Sequence, residues 1–567
     1  MEKISVLLND SLDEELIDFS APPTSDLFEC AAGKVTKFLS NIGCLVAVVT
    51  SFIMGFEYDK IFKKVKIKIN EREILRIIVL IVLFMLLPIV FVCIVLSLIY
   101  KNACEIIIKR RDKNFVKFLD SFDVFWCLED NANSNIIEVL GIIQADCPYK
   151  LVDKIREKLE DVISNKSVEK IFYRRQEQFG FYYWRKNDVV NINQYVKLLN
   201  VTNKDSLNSD DLENLMSELT KKPLPYNGEG LFEILITDIE LNDEGDLLDS
   251  YAIVFRIHHS VGDGIALIEF LCEILADDTS QTVKLFKAPE VCNLFDQNMF
   301  KDINELTKIV TEMILCAVDG VIRKPDINSL HGPTLEGKKV LRWIDANDNL
   351  LQMIKEIKEE QEALNFSDIL ASALANGLRK YFSQTMLYIP EHVAVIIPIR
   401  LSTNENTLIL ENNFTVSILD LPLNEDLRSI SKCCNRLRKS LDPMTNHVLL
   451  KLCNVFPKYI LEQVFNSNQA TMVFSNIPGP KCLSICGCAV KSLVFFVPNK
   501  GTTGVGVTAL CYGGVLRFAI MADSALLSRP DDLSIILDGM VEEIKHLYAE
   551  YGENQYSEAS ANLTTLF

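Results

Sequence analysis

Histidine is scarce in this chain, with six among 567 residues. Positive charge is short as well: 58 lysines and arginines face 77 aspartates and glutamates, a formal net charge of -19. That sign leaves nucleic-acid binding without electrostatic support. A metal framework is missing too, although there are 16 cysteines. Cys272, Cys316 and Cys453 lie in apolar surroundings, and the cluster Cys482, Cys486 and Cys488 lacks a second ligand group at zinc spacing. Buried free thiols in a reducing compartment, with no bound metal, are expected. Gly504 and Gly506 are not followed by Gly-Lys-Ser/Thr, so they read as glycines of a closely packed strand rather than a phosphate loop.

Against that scarcity, two of the six histidines are neighbours. His258-His259-Ser260-Val261-Gly262-Asp263-Gly264 is an HHxxxDG box, a coincidence of roughly one in ten thousand for this composition. Residues 250–258 are rich in β-branched and aromatic side chains and read as a buried strand. Successive side chains on a strand point to opposite faces, so one imidazole is expected to meet substrate and the other to pack behind it. Gly262 and Gly264 are expected where the backbone bends tightly and a substrate comes close, and Asp263 is expected to cap an amphipathic helix over 265–275. An imidazole can take a proton from an alcohol and later return one to a thiolate. Two plainer readings stand beside this one. The pair could bind a metal, for which no third ligand stands at suitable spacing, or be core histidines of an inactive relative.

Other segments accompany the box. Leu119 to Trp126 is an Asp-aromatic stretch, and Lys222-Pro223-Leu224 is followed by Leu231-Phe232-Glu233. Downstream come Asn365-Phe366-Ser367-Asp368, Pro398-Ile399-Arg400 and Ser475-Asn476-Ile477-Pro478-Gly479-Pro480. In this order, over roughly residues 112–548, the chain resembles the wax ester synthase/diacylglycerol acyltransferase family, part of the superfamily of CoA-dependent acyltransferases with an HHxxxDG box. Ser367 stands where that family has Asn, and Phe232 where it has Trp. The resemblance implies an α/β (α+β) fold of two similar chloramphenicol-acetyltransferase-like lobes with a tunnel between them. It implies an acyl-CoA-dependent O-acyltransferase that needs no covalent acyl-enzyme and no bound cofactor. Acyl-CoA is the co-substrate, and a long-chain alcohol or a diacylglycerol is the acceptor. His259 takes the role of general base and His258 supports it. Asp263 is structural and pairs with an arginine, for which Arg400 and Arg256 are the candidates. Asn476 and Ser367 are candidates for contact with substrate or oxyanion, with a purely structural role for the Asn476 loop equally open. Asp368 also reads as a helix cap.

The N-terminal region is a different physical object. Residues 77–100 are apolar and uncharged between Arg76 and Lys101. At about 1.5 Å per residue the run can cross a hydrocarbon core of about 30 Å, with Pro88 kinking rather than abolishing it. It lies too far from the start, and is too long, for a cleaved signal peptide. Residues 39–56 are apolar but diluted by Asn41, Gly43, Ser51 and Gly55, giving either a second span or a re-entrant segment. Basic residues flank both sides of 77–100, from Lys60 to Arg72 and from Lys101 to Lys113. A hydrophobic hairpin dipping into one leaflet reconciles that pattern with the preference of such flanks for the cytosol. A membrane-bound protein is expected, in the endoplasmic reticulum with its catalytic lobes facing the cytosol. The expected organisation is an acidic disordered tail (1–33), a membrane anchor (34–111), an N-terminal lobe with the box (112–323), an inter-lobe crossover (324–345), a C-terminal lobe (346–550) and a disordered tail (551–567). Two functions fit this organisation. One is an O-acyltransferase making wax esters or triacylglycerol; the other is a catalytically silent lipid-binding or scaffolding protein that keeps the fold.

Overall fold

Apolar sequence from residue 77 onward builds one 41-residue helix, α1 (Glu71–Arg111), with Pro88 inside it and three cations in its last turn. It is longer than the expected span because Ile106 and Ile108 continue the apolar pattern past Lys101. Its two ends differ in surroundings. Ile81, Met85, Phe91 and Leu96 are exposed, whereas Cys104 and Ile108 are buried against Phe118, Phe181 and Tyr183. Ser97 and Lys101 donate hydrogen bonds to the carbonyls of Val455 and Asn454, each at 2.7 Å. Among the described residues one helix segment, Pro88–Arg111, is long and apolar enough to cross a membrane.

The computed structural model describes residues 71–163, 167–202, 204–242, 249–278, 303–345, 349–361, 363–385, 388–400, 408–465 and 469–552. The expected tail at 1–33, the 39–56 segment and residues 553–567 lie outside the described residues. After α1 come β1 (Phe115–Phe118), α2 (Ser121–Cys127), β2 (Ile136–Gln144), α3 (Pro148–Val162), β3 (Arg174–Gln178), β4 (Phe181–Arg185), β5 (Val196–Leu199) and α4 (Ser209–Leu219). Next are β6 (Phe232–Thr237), β7 (Ser250–His258), α5 (Gly264–Phe270), which continues as a π-helical turn over Leu271–Leu275, and α6 (Ile303–Ile322). The second half holds β8 (Lys339–Asp345), α7 (Leu350–Glu360), α8 (Phe366–Thr385), β9 (His392–Arg400), β10 (Phe414–Pro422), α9 (Leu427–Lys439), α10 (Asp442–Lys451) and α11 (Lys458–Val464). It ends with β11 (Met472–Pro478), β12 (Ser484–Ile485), β13 (Cys488–Phe496), β14 (Val505–Tyr512), β15 (Val515–Asp523) and α12 (Pro530–Tyr551).

Two six-stranded sheets organise this mixed α/β fold, in the orders β12-β13-β2-β7-β6-β5 and β10-β9-β11-β14-β15-β8. A small sheet, β1-β4-β3, stands apart from them. β7 is buried at every position, which is why it reads as an almost unbroken apolar run. Its odd residues, Ile253 and Phe255 among them, pack in one core with Leu151 and Ile155 of α3. Its even residues Ala252 and Val254 pack instead with Leu341, Ala519 and Met521 of the second sheet. The strand that carries the histidine box therefore lies between the two halves.

Strand pairing corrects the expected division at 324–345 and 346–550. Residues 339–345 are no mere crossover: β8 pairs with β15 at the edge of the second sheet. In the other direction, β13 leaves the second half and pairs with β2, Val494 opposite Leu140. Such pairings join positions hundreds of residues apart, and nothing local in the sequence marks them. Buried Lys339 reinforces the join, donating to Asn133 Oδ1 at 3.2 Å and Asp523 Oδ2 at 3.0 Å.

Candidate active site

β7 ends at His258, and the chain turns through His259 and Ser260 before α5 begins. Strand alternation puts Arg256 and His258 on one face. Arg256 is fully buried and lies opposite Glu138 on β2 and Glu233 on β6, donating to both carboxylates and to the Lys222 carbonyl. It is spent on a cross-strand ion pair, far from the role of partner to Asp263.

His258 has both ring nitrogens engaged. The Ser260 backbone N–H donates to Nδ1 at 3.1 Å, and the Ser260 hydroxyl lies 2.6 Å from the same nitrogen. Nε2 lies 3.1 Å from Glu129 Oε1. Arg175 pairs with the same carboxylate at 2.8 Å and sits 2.8 Å from Nε2. Burial and the Arg175 charge press the His258 pKa down to about 4. Burial pulls Glu129 upward, yet the hydrogen bond with His258 and the Arg175 charge leave it below the usual carboxylate range. His258 is thus a neutral, anchored ring.

His259 is held differently. Its ring stacks on the indole of Trp126, with centroids 3.7 Å apart and planes within 11°. Nδ1 lies 3.2 Å from the Asn412 side-chain oxygen. The other end of that amide decides the tautomer: Asn412 Nδ2 donates to Asp123 Oδ1 at 2.9 Å and to the His259 carbonyl at 2.8 Å. The amide oxygen must then accept, so Nδ1 carries the hydrogen and Nε2 keeps the lone pair. No described residue bonds to Nε2. Burial, together with the neighbouring His258, lowers the His259 pKa to about 3, so the ring is neutral at ordinary pH. Behind Asn412, Lys170 pairs with Asp123 at 2.8 Å and donates to the carbonyls of Val261 and Leu410. Burial raises the Asp123 pKa even against the pull of Lys170. A second buried cation, Lys500, donates to the carbonyls of Phe125 and Leu128 at the end of α2 and lies 5.9 Å from the Trp126 ring centroid. Burial brings its pKa down to about 8.

Asp263 caps α5: Oδ1 accepts from the N–H groups of Ile265 and Ala266, and Oδ2 accepts from Asn413 N–H at 3.0 Å. Three backbone donors, two of them at a helix start, meet the charge that an arginine was expected to meet. Arg400 instead stands 4.0 Å from Glu269 on α5. Gly262 and Gly264 do not have left-handed backbones. They are small for want of room: a Cβ on Gly264 would lie 2.3 Å from the tip of Ile477, and one on Gly262 3.1 Å from Ala266. Through Ile477 the box therefore touches the Asn-Ile-Pro-Gly-Pro loop. Asn476 itself is exposed and makes no side-chain hydrogen bond among the described residues. Ser367 accepts from Arg438 on α9 at 3.0 Å and makes no contact with the box among the described residues. Asp368 lies in the first turn of α8 rather than at its cap position, and accepts from the Asn365 N–H at 3.1 Å just ahead of the helix.

A cavity of about 370 Å³ is lined by His258, Glu129, Arg175 and Tyr182. It shares Asp130, Ser134 and Ile136 with a second one of about 350 Å³, which reaches Lys339 and Asn499. Both approach the box from the His258 side. Sequence reasoning missed Asn412, Asp123, Lys170, Trp126, Glu129 and Arg175. Asp123 and Trp126 do fall inside the Asp-aromatic stretch; for Asn412 the only local signal is the polar run Glu411-Asn412-Asn413 ahead of an apolar strand.

Comparison with known proteins adds to this geometry. The family model described as WS/DGAT C-terminal domain matches residues 410–547, which begin at the Asn412 segment. The Mycobacterium tuberculosis (strain CDC 1551 / Oshkosh) protein named "Probable diacyglycerol O-acyltransferase tgs1" is 22% identical over 343 residues, 56% of this chain and 71% of that protein. "Wax ester synthase/diacylglycerol acyltransferase 5" of Arabidopsis thaliana is 29% identical over 142 residues, 24% of this chain and 26% of its own length. Among solved structures, the wax ester synthase/diacylglycerol acyltransferase from Marinobacter aquaeolei VT8 has a TM-score of 0.51 at 15% identity, covering 76% of this chain and 100% of that one. The sequence relatives, the family model over residues 410–547 and the shared two-sheet fold agree with the histidine box in making the chain similar to the wax ester synthase/diacylglycerol acyltransferase family.

Proposed function

We propose that this acyltransferase moves a fatty acyl group from acyl-CoA to a lipid hydroxyl, forming a wax ester from a long-chain alcohol or triacylglycerol from diacylglycerol. The observation that carries this reading is the tautomer of His259, whose Nδ1–H is tied to Asn412 while Nε2 keeps its lone pair. Nε2 takes the proton of the acceptor hydroxyl as its oxygen attacks the thioester carbonyl. The tetrahedral intermediate collapses with cleavage of the C–S bond, and the imidazolium gives its proton to the departing thiolate, leaving ester and free CoA. An imidazole with so low a pKa is a weak base but a strong acid once protonated, so it favours the return of the proton. His258 serves as support, since its own nitrogens are occupied by Ser260 and Glu129. Asp263 and Gly264 hold the start of α5 against the turn. No cofactor enters the scheme beyond acyl-CoA as co-substrate.

Membrane attachment belongs to the same reading. The exposed apolar part of α1 enters the bilayer, and the catalytic halves face the cytosol, where acyl-CoA is found, at the endoplasmic reticulum. The test is an acyl-transfer assay on membranes containing the full chain, with labelled palmitoyl-CoA and either hexadecanol or diacylglycerol. Ester should form with one or both acceptors, and His259→Ala should lower it about 100- to 10,000-fold at equal expression. No ester with either acceptor from folded protein would favour the silent lipid-binding alternative. Equal activity in His259→Ala would remove the histidine from the mechanism.

A further inference from the structure

Away from the site, the most conspicuous unexplained feature is apolar surface around the foot of α1. Val310 and Ile314 on α6, Val448 and Leu449 on α10, Leu452 just beyond it, and Val464 at the end of α11 are all exposed. These residues belong to one neighbourhood. Ser97 and Lys101 of α1 bond to the carbonyls of Val455 and Asn454, in the turn between α10 and α11. α6 packs against both α1 and α10. Large apolar side chains turned outward on three helices around the foot of α1 make a patch of the kind that marks a contact surface rather than scattered exposure.

We infer that this face rests in the interfacial layer of a lipid bilayer, with α6, α10 and α11 lying along the membrane surface beside α1. The inference rests on the reading that α1 itself is embedded in lipid. Continuity argues for lipid as the occupant. The exposed apolar side chains of α1 crowd the stretch up to Ile99, with only Ile106 exposed beyond it among the described residues, and Tyr100 and Lys101 engage the body, in the aromatic and cationic order typical of a membrane boundary. Half-exposed Tyr459 stands on α11 beside Lys458, which lies over its ring. A helix anchored at that level brings the patch to the headgroup boundary, where a partly apolar, partly polar surface is favoured.

The arrangement also suits the chemistry. His447 of α10 packs on Phe122 with ring centroids 5.1 Å apart, and Phe465, next to Val464, packs on Phe125 at 5.5 Å. Phe122 and Phe125 belong to α2, whose Trp126 stacks on His259. The membrane-facing helices are therefore one packing layer from the imidazole, so a hydroxyl lipid has only a short way to travel from the bilayer.

The experiment uses the full chain reconstituted in phosphatidylcholine vesicles, with and without bromine on the acyl chains, and reads tryptophan emission. Leu452→Trp tests the patch and Phe91→Trp the anchor. Tyr388→Trp, exposed in the segment before β9, serves as the reference, and the unsubstituted chain supplies the background of Trp126, Trp184 and Trp343. Brominated lipid should quench the added emission of Leu452→Trp and Phe91→Trp and spare that of Tyr388→Trp. Quenching of Phe91→Trp without Leu452→Trp would overturn the docking surface and leave the anchor standing. Loss of quenching in both would remove the anchor as well, and with it this inference. Quenching of all three alike would reduce the patch to one exposed surface among others and overturn its special role.

Discussion

An imidazole acts as a base only through a nitrogen that keeps its lone pair, and in this site an amide selects that nitrogen. Asn412 spends its two N–H groups on Asp123 and on the His259 carbonyl, so its oxygen faces Nδ1–H. A consequence is visible in pH dependence. Burial holds the His259 pKa at about 3, so the basic form prevails through the neutral range. Rate carried by a base is present above its pKa and lost as pH falls through it. Ester formation should therefore stay level down to about pH 5, where an ordinary histidine would already have lost its rate below about 6.5. Asn412→Asp would set a carboxylate against Nδ1–H and favour the imidazolium, raising the pKa and moving the acid limb toward neutrality. Profiles of kcat/KM against pH for the two proteins check this; a wild-type limb near 6.5 or an unmoved limb in the variant would count against the amide's role. The box was legible because its parts are contiguous. Asn412 was not, because its bonds to His259 and Asp123 span 153 and 289 positions. The arginine expected for Asp263 failed for a related reason: backbone N–H groups, which every sequence has, met the charge first.

At the scale of elements, the glycine of the box is explained by a neighbour rather than by its own backbone. The first residue of α5 must pass the side chain of Ile477 on β11, with no space for a Cβ. Gly264→Ala should cost about 1–3 kcal/mol through overpacking. The offending atom is Ile477 Cδ1, which Ile477→Val removes, so the double variant should melt at a higher temperature than Gly264→Ala alone. Thermal unfolding of both single variants and the double measures the coupling; independent, additive losses would mean that the two segments do not press on each other. Gly479, by contrast, would put a Cβ 2.3 Å from the Cys511 carbonyl oxygen, a backbone atom with no side chain to trim. Periodicity revealed most elements of this kind. The apolar spacing over 350–359 and 368–382 reads as helical, and α7 and α8 form there; Gly513-Gly514 interrupts an apolar run, and there the β14–β15 hairpin turns, with both glycines at positive φ. Periodicity was blind to the π-helical turn after α5, whose apolar spacing reads like any amphipathic helix.

At the scale of the molecule, the sheet that bears the histidines is incomplete without a segment from the far end of the chain. β2 would be an outer strand if β13 were absent, leaving residues such as Ile142 and Leu140 without the partners Ser492 and Val494. An unpaired, apolar strand edge invites association with other chains. The same half also borrows core: Leu408, Leu450, Leu510 and Tyr512 are buried in one cluster with Ile253 and Phe255 of β7. From the order of residues alone, 112–323 reads as one lobe; the pairings make it dependent on the second half of the chain. A fragment of residues 112–338 should accordingly aggregate or lack fixed tertiary structure, while the described body of the full chain melts in one transition. Solubility and near-ultraviolet circular dichroism of the fragment decide the matter. A soluble monomer with native-like aromatic signal would mean that the first sheet is autonomous, and β13 would then be a tether between two domains rather than a strand the first one needs.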